Sequence, residues 1–331
     1  MLELLGYDFM RRALLVALLT GVMAPAIGTY VVQRRLSLLG DGLGHIAIAG
    51  VGLALLTGTQ PLPVAVVVAV LGAVLVELLR QHGRASGDVG LAILFYGGLA
   101  AGVLMAGITG AGAGALSQYL FGSLTSLTTT DVVVVSVLTV VVLVPAVGLS
   151  PQLFAVCADE DHARVLGLPV RLLNLLVVVL AAVAVTVSMR TVGLLLVSAL
   201  MVVPVAAAQG LVRGFTAGLL SAMGIGGLVA VSGAVGSFYA DVAPGALIVL
   251  LAIAVFIVSW PLSAALQRRR QRGHAVADPP LLPLPHAAAE QHLHRHGGPD
   301  CDHEPVRHGD HTDWVHDGHR HARHGDHWDE H

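Results

Sequence analysis

Apolar stretches long enough to cross a hydrocarbon layer of about 30 Å recur along the chain from residue 10 to residue 263. They fall at about 10–32, 42–58, 62–79, 89–108, 131–149, 170–189, 191–209, 214–235 and 243–263. Inside lipid no water can satisfy a backbone N–H or C=O, so only helices and closed barrels span. Val-rich runs such as 132–144 would suit strands in water, but the alternation of apolar and polar residues that a barrel requires is missing. The expected fold is therefore all-α, a polytopic transmembrane helical bundle of eight or nine spans. The Gly-rich stretch 40–58 is the weakest of these, and one re-entrant segment would reduce nine to eight.

Charge is scarce and sorted. Charged residues make up 12 % of the 331, about half of what a soluble protein carries. Arg34, Arg35, Arg80, Arg84, Arg164, Arg171, Arg213, Arg268, Arg269, Arg270 and Arg272 fall in every second loop, while the opposite loops hold Arg11, Arg12 and Arg190. The positive-inside rule assigns the first set and the C-terminal tail to the cytoplasm, in a cell or inner membrane. The run from Arg11 through Ala24-Pro25-Ala26 imitates a secretory leader, but its apolar stretch continues to Val32 and ends in Arg34-Arg35, which suits a retained span. Residues 1–267 are thus expected to form the membrane domain, 268–285 a basic then Pro-rich linker, and 286–331 a separate tail.

Several chemistries are excluded. The 18 basic residues are all Arg, so no P-loop Lys and no Schiff-base Lys exists, and any ATP hydrolysis belongs to another chain. H-E-x-x-H is absent, which removes the zincin type of intramembrane protease. Cys157 and Cys301 are too few for a disulfide framework. Nothing suggests a nucleic-acid partner.

Ionisable groups within a bilayer are costly and usually functional. Glu77, Asp131 and Asp241 read as helix-end or loop residues. Asp41 and His45 differ, because an i, i+4 spacing projects both from one helix face. A carboxylate and a neutral imidazole form half of a site for a first-row metal ion. Gly42 and Gly44 thin that face, so that a partner helix or an ion can come close. The plainer alternative is that Asp41 caps the helix while His45 bonds a backbone carbonyl.

Residues 28–50, with Arg34-Arg35, Ser37, Gly40-Asp41 and His45 in order, resemble a signature of the zinc/manganese-type permease family of ATP-binding-cassette importers. Further matches follow at Tyr119-Leu120-Phe121-Gly122, at 161–167, at 191–204 and at 237–245, so the resemblance covers roughly residues 1–265. It implies that Asp41 and His45 are metal ligands in the translocation path. It also implies that the loop holding Asp161, Ala163 and Gly167 docks on the ATPase. The implied partners are a second copy of the chain, a cytoplasmic ATPase dimer and an extracytoplasmic metal-binding protein. No permanently bound cofactor is expected, only a transported ion.

The tail lies outside that pattern. Of 17 His, 14 lie at or beyond His274, interleaved with Asp and Glu. With few apolar residues the segment is expected to be disordered without metal. His292, His294, His296, His303, His308, His311, His316, His319, His321, His324 and His327 are its candidate ligands, with Cys301 able to join them. Imidazole-rich donors favour borderline ions, which tilts the expected cargo to Zn(II) over Mn(II) or Fe(II). The competing readings are a manganese or iron importer of the same family, a proton-coupled cation carrier, and a sensor or storage protein. Protonation of His45 is expected to weaken uptake at low pH.

Overall fold

A computed structural model describes residues 7–81, 87–110, 112–123, 126–274, 304–308, 311–316, 319–324 and 327–330. Twelve helices occur among the described residues. The first six are α1 (Asp8–Gln33), α2 (Leu39–Thr57), α3 (Pro61–Gln81), α4 (Gly87–Ile108), α5 (Gly112–Phe121) and α6 (Thr129–Gly148). They are followed by α7 (Ser150–Ala158), α8 (Glu160–Val165), α9 (Val170–Ser188), α10 (Leu194–Leu211), α11 (Phe215–Ala240) and α12 (Pro244–His274). Eight of them are long and apolar enough to cross a membrane, and the described part of α4 is a shorter apolar helix.

The chain divides into two compact units, Met1–Gln267 and Arg268–His331. In the first, α1 runs through the core and packs against α6, α9, α10 and α11. Its residues from Met10 to Val31 are largely buried, and the helix continues through Pro25. A stretch that imitates a leader is thus the centre of the bundle. The outer helices do the reverse: α6 leaves Val133, Val137, Val140, Val141 and Val144 exposed. A continuous apolar face of that kind is suited to lipid.

Contacts sort the helix ends into two groups. At one end Arg12 donates to the Leu127 carbonyl, and Arg190 pairs with Asp131 at 2.8 Å. At the other, Arg34 pairs with Glu160 at 3.2 Å and interacts electrostatically with Glu77 and Arg80. Helix α3 starts beside Arg190 and ends at Arg80, while α6 starts again beside Arg190. The chain between them must therefore cross back, and α4 makes that crossing.

Local chemistry fixes the ends. Thr128 and Asp131 form a capping box on α6, with the Asp131 N–H donating to Thr128 Oγ1 at 3.2 Å and the Thr128 N–H donating to Asp131 Oδ2 at 3.0 Å. The same carboxylate neutralises Arg190, which is buried. Glu77, also buried, accepts two hydrogen bonds from Arg80. Both acids are the helix-end residues that the sequence suggests.

Three boundaries differ from expectation. Helix α12 runs about ten residues past the anticipated span, so the Arg268–Arg272 cluster continues a helix. Cys157 lies buried on α7, a short helix that length arguments overlook. In the second unit, residues placed in a disordered tail form four strands, β1 (Pro305–His308), β2 (His311–His316), β3 (His319–His324) and β4 (His327–Glu330), in an antiparallel meander of that order. Each connection is two residues long: Gly309-Asp310, Asp317-Gly318 and Gly325-Asp326. Such pairs are strong hairpin signals, and backbone pairing needs little apolar content. Residues 275–303, including His292, His294, His296, Cys301 and His303, lie outside the described residues.

Candidate metal centre

Asp41 lies in the first turn of α2 and His45 one turn later, both half-buried. Asp41 does not cap its helix; instead its Oδ1 accepts a hydrogen bond from Ser198 Oγ on α10 at 2.5 Å. The His45 Nδ1–H donates to the Asp41 carbonyl at 2.6 Å. One part of the plainer alternative is therefore present, yet its chemical effect is the opposite of inert. A carbonyl can only accept, so Nδ1 carries a proton, and in the neutral imidazole the lone pair is then on Nε2. A ligating imidazole is usually held in this way by a bond from its other nitrogen. The Phe95 ring from α4 lies against the imidazole, with centroids 3.8 Å apart and planes 34° apart.

Backbone packing sets these positions. A Cβ on Gly98 of α4 would lie 2.9 Å from the His45 carbonyl oxygen, and one on Gly102 would lie 2.6 Å from that of Ile48. Helices α2 and α4 thus touch main chain to main chain along a seam that only hydrogen atoms can occupy. On the other side, the space beside Gly44 is filled by Leu194 of α10. The thinned face admits a partner helix there.

Arg35, Ser37, Asp41, Gly42, Phe95 and Tyr96 line part of an open cavity of about 450 Å³. Among the described residues, no three His, Cys, Asp or Glu side chains converge on one point. One protomer therefore offers two donors, oriented by Ser198 and by the Asp41 carbonyl, beside an open space.

The loop that Arg34 reaches, at the same end of α1, is equally specified. Asp159 caps α8, accepting from the backbone N–H groups of His162 and Asp161 at 3.0 Å each, and these bonds, the His162 one foremost, hold its carboxyl below the usual range. Ala163 is buried, whereas Val165 and Leu166 are 85 % and 59 % exposed. Gly167 ends the helix at φ +76°, its N–H donating to the Arg164 carbonyl and the Leu168 N–H to that of Ala163. This is a Schellman stop, and its left-handed residue is one that glycine alone adopts without strain. Asp161 is exposed and pairs with Arg164.

Glu160 ties this loop to the bundle. It accepts from Arg34 at 3.2 Å, from Asn174 of α9 at 2.9 Å and from Arg164 at 3.3 Å. Burial depresses the basicity of Arg34, the neighbouring Arg80 adds to this, and its side chain is only 5 % exposed. Sequence reasoning counted Arg34 as a loop charge and gave Glu160 and Ser198 no part. Their partners lie 126 and 157 residues away, so no local spacing could reveal them.

Residues 6–263 match the model of the ABC 3 transport family. The chain belongs to that family. The manganese transport system membrane protein MntC of Halalkalibacterium halodurans is 30 % identical over 259 residues, covering 78 % of this chain and 88 % of that protein. The chelated iron transport system membrane protein YfeD of Yersinia pestis is 30 % identical over 257 residues, covering 78 % and 86 %. Among solved structures, PsaBC from Streptococcus pneumoniae in complex with Fab superposes with a TM-score of 0.71 at 26 % identity, covering 78 % of this chain and 92 % of that one.

Proposed function

We propose that this chain is the membrane permease subunit of an ATP-driven importer of divalent transition-metal ions, with Asp41 and His45 as ligands in the path. The observation that carries the reading is Asp41 on the wall of an open cavity with its carboxylate held by Ser198, and His45 one turn on with its Nδ1–H held by the Asp41 carbonyl. Two protomers would present two carboxylates and two imidazoles, the four ligands that a zinc ion usually takes. A cytoplasmic ATPase dimer would press on the exposed surface of α8, and Glu160 would pass that force to α1 through Arg34. An extracytoplasmic metal-binding protein would load the outer mouth. In this orientation the tail lies in the cytoplasm.

Zinc is the cargo that the donor chemistry of the tail favours, since imidazole-rich sites prefer borderline ions. A second reading rests on the relatives, whose names specify manganese and chelated iron, and the carboxylate of the pair suits manganese as well. The test is uptake by proteoliposomes holding this chain with its ATPase subunits, with zinc, manganese and iron(II) in competition. ATP-dependent uptake with zinc winning is expected. Uptake driven by a proton gradient without the ATPase would overturn the importer reading, and manganese winning would replace the cargo.

A further inference from the structure

We infer that the β1–β4 meander builds a defined site for a borderline divalent ion of the Zn(II), Cu(II) or Ni(II) class, from the histidine row His308, His311, His324 and His327. Strand pairing places His308 opposite His311, His316 opposite His319 and His324 opposite His327. A histidine therefore flanks each two-residue connection on both sides. In a meander the first and third connections share one end of the sheet, and the second lies at the other. The β2–β3 register runs from Asp313 opposite Ala322 to His316 opposite His319. Continued by two residues, it sets His311 beside His324, which completes a row of four across all four strands.

Residues directly opposite each other in a sheet share a face. Neighbouring strands lie about 4.8 Å apart and paired Cα atoms about 4.5–5.5 Å apart. Neighbouring positions at that spacing suit a shared ion of this class, which takes imidazole nitrogens at about 2.0–2.1 Å. The next row on the same face, one alternation along, is Val306, Asp313, Ala322 and Asp329, all in register. It sets two Asp positions in the row next to the histidines, and a carboxylate is the group that commonly supports a ligating histidine. His316, His319 and His321 belong to the opposite face, where strand alternation also places Trp314 and Arg323. The two faces are thus chemically unequal, and the site is a property of register, whereas in a flexible chelating tail every histidine would count alike.

This site is separate from the transport reading and is tested by binding. Full-length protein in detergent is titrated with Zn(II) against a chromophoric chelator, and with Co(II) for its visible ligand-field band. His311→Gln with His324→Gln should weaken the tightest Zn(II) binding by about tenfold or more and abolish the Co(II) band, as loss of direct ligands does. His316→Gln with His319→Gln removes as many imidazoles from the same sheet and should change affinity less than about threefold. A composition-neutral variant, His311→Thr with Thr312→His and Arg323→His with His324→Arg, moves two histidines to the other face and should reproduce the first loss. Equal losses from the two Gln pairs would overturn the proposal, as would unchanged affinity in the composition-neutral variant. Asp41→Ala with His45→Ala should leave this binding intact, so failure of the transport reading and failure of the tail site give different results.

Discussion

The two units of this chain bring nitrogen and oxygen side chains together by opposite means. In the membrane unit the donors are four residues apart on one helix, and their orientation comes from other helices: Ser198 for Asp41 and the α2–α4 seam for His45. In the tail the donors span nineteen residues from His308 to His327 and are brought level by strand register. A helix places such residues by period, and in the proposed function a second copy would complete the pair. A meander places them by pairing, and in the proposed tail site one chain would suffice. The difference teaches that a fixed path through a membrane and a retaining site in water are built from different periodicities.

That contrast can be broken at several points. The largest effect is expected from Asp41→Ala with His45→Ala, which should lower ATP-dependent uptake at least about a hundredfold, as loss of ligands does, while zinc binding by the tail persists. Uptake that survives would reduce the pair to packing residues. Next is Arg190→Ala, which leaves the Asp131 carboxylate with only its Thr128 hydrogen bonds and removes a buried ion pair, and should lower the thermal midpoint in detergent. Truncation after His274 should leave that midpoint unchanged, because the membrane unit is compact without the tail. A fall in the midpoint on truncation would mean that the two units stabilise each other.

Ser198→Ala should reduce uptake by about tenfold through KM, with Ser198→Thr restoring most of it, since the hydroxyl positions a ligand and binds no metal itself. Unaltered kinetics would show that Asp41 is oriented by something other than α10. The smallest effect concerns Cys157. Burial pushes its thiol up to about 11, which leaves roughly one thiolate in a thousand at pH 8. In a Cys301→Ala background, maleimide should therefore label the folded protein at least about a hundredfold more slowly than the protein unfolded in detergent at the same pH. Equal rates would place this end of the bundle open to water.

The helical bundle was legible because lipid leaves a chain so few options: apolar length alone marks a helix. The Asp41–His45 pair was legible because its geometry is local. What the sequence hid is whatever joins distant residues. Ser198 sits in an unremarkable apolar run, and Glu160 looks like one more acid in a polar loop, until folding sets each beside its partner. The tail's strands were hidden for another reason. Its low apolar content offers no core from which a strand pattern could be read.

The main-chain seam between α2 and α4 has a consequence for how such proteins can diverge. A saturation scan should find Gly98 and Gly102 less permissive than most charged positions, because any side chain there must push His45 and Ile48 off their axis. Selection therefore has no gradual adjustment to make along that line. Retuning the site for another ion must be done elsewhere, at side chains that touch the pair such as Phe95 and Ser198, while the seam stays as it is.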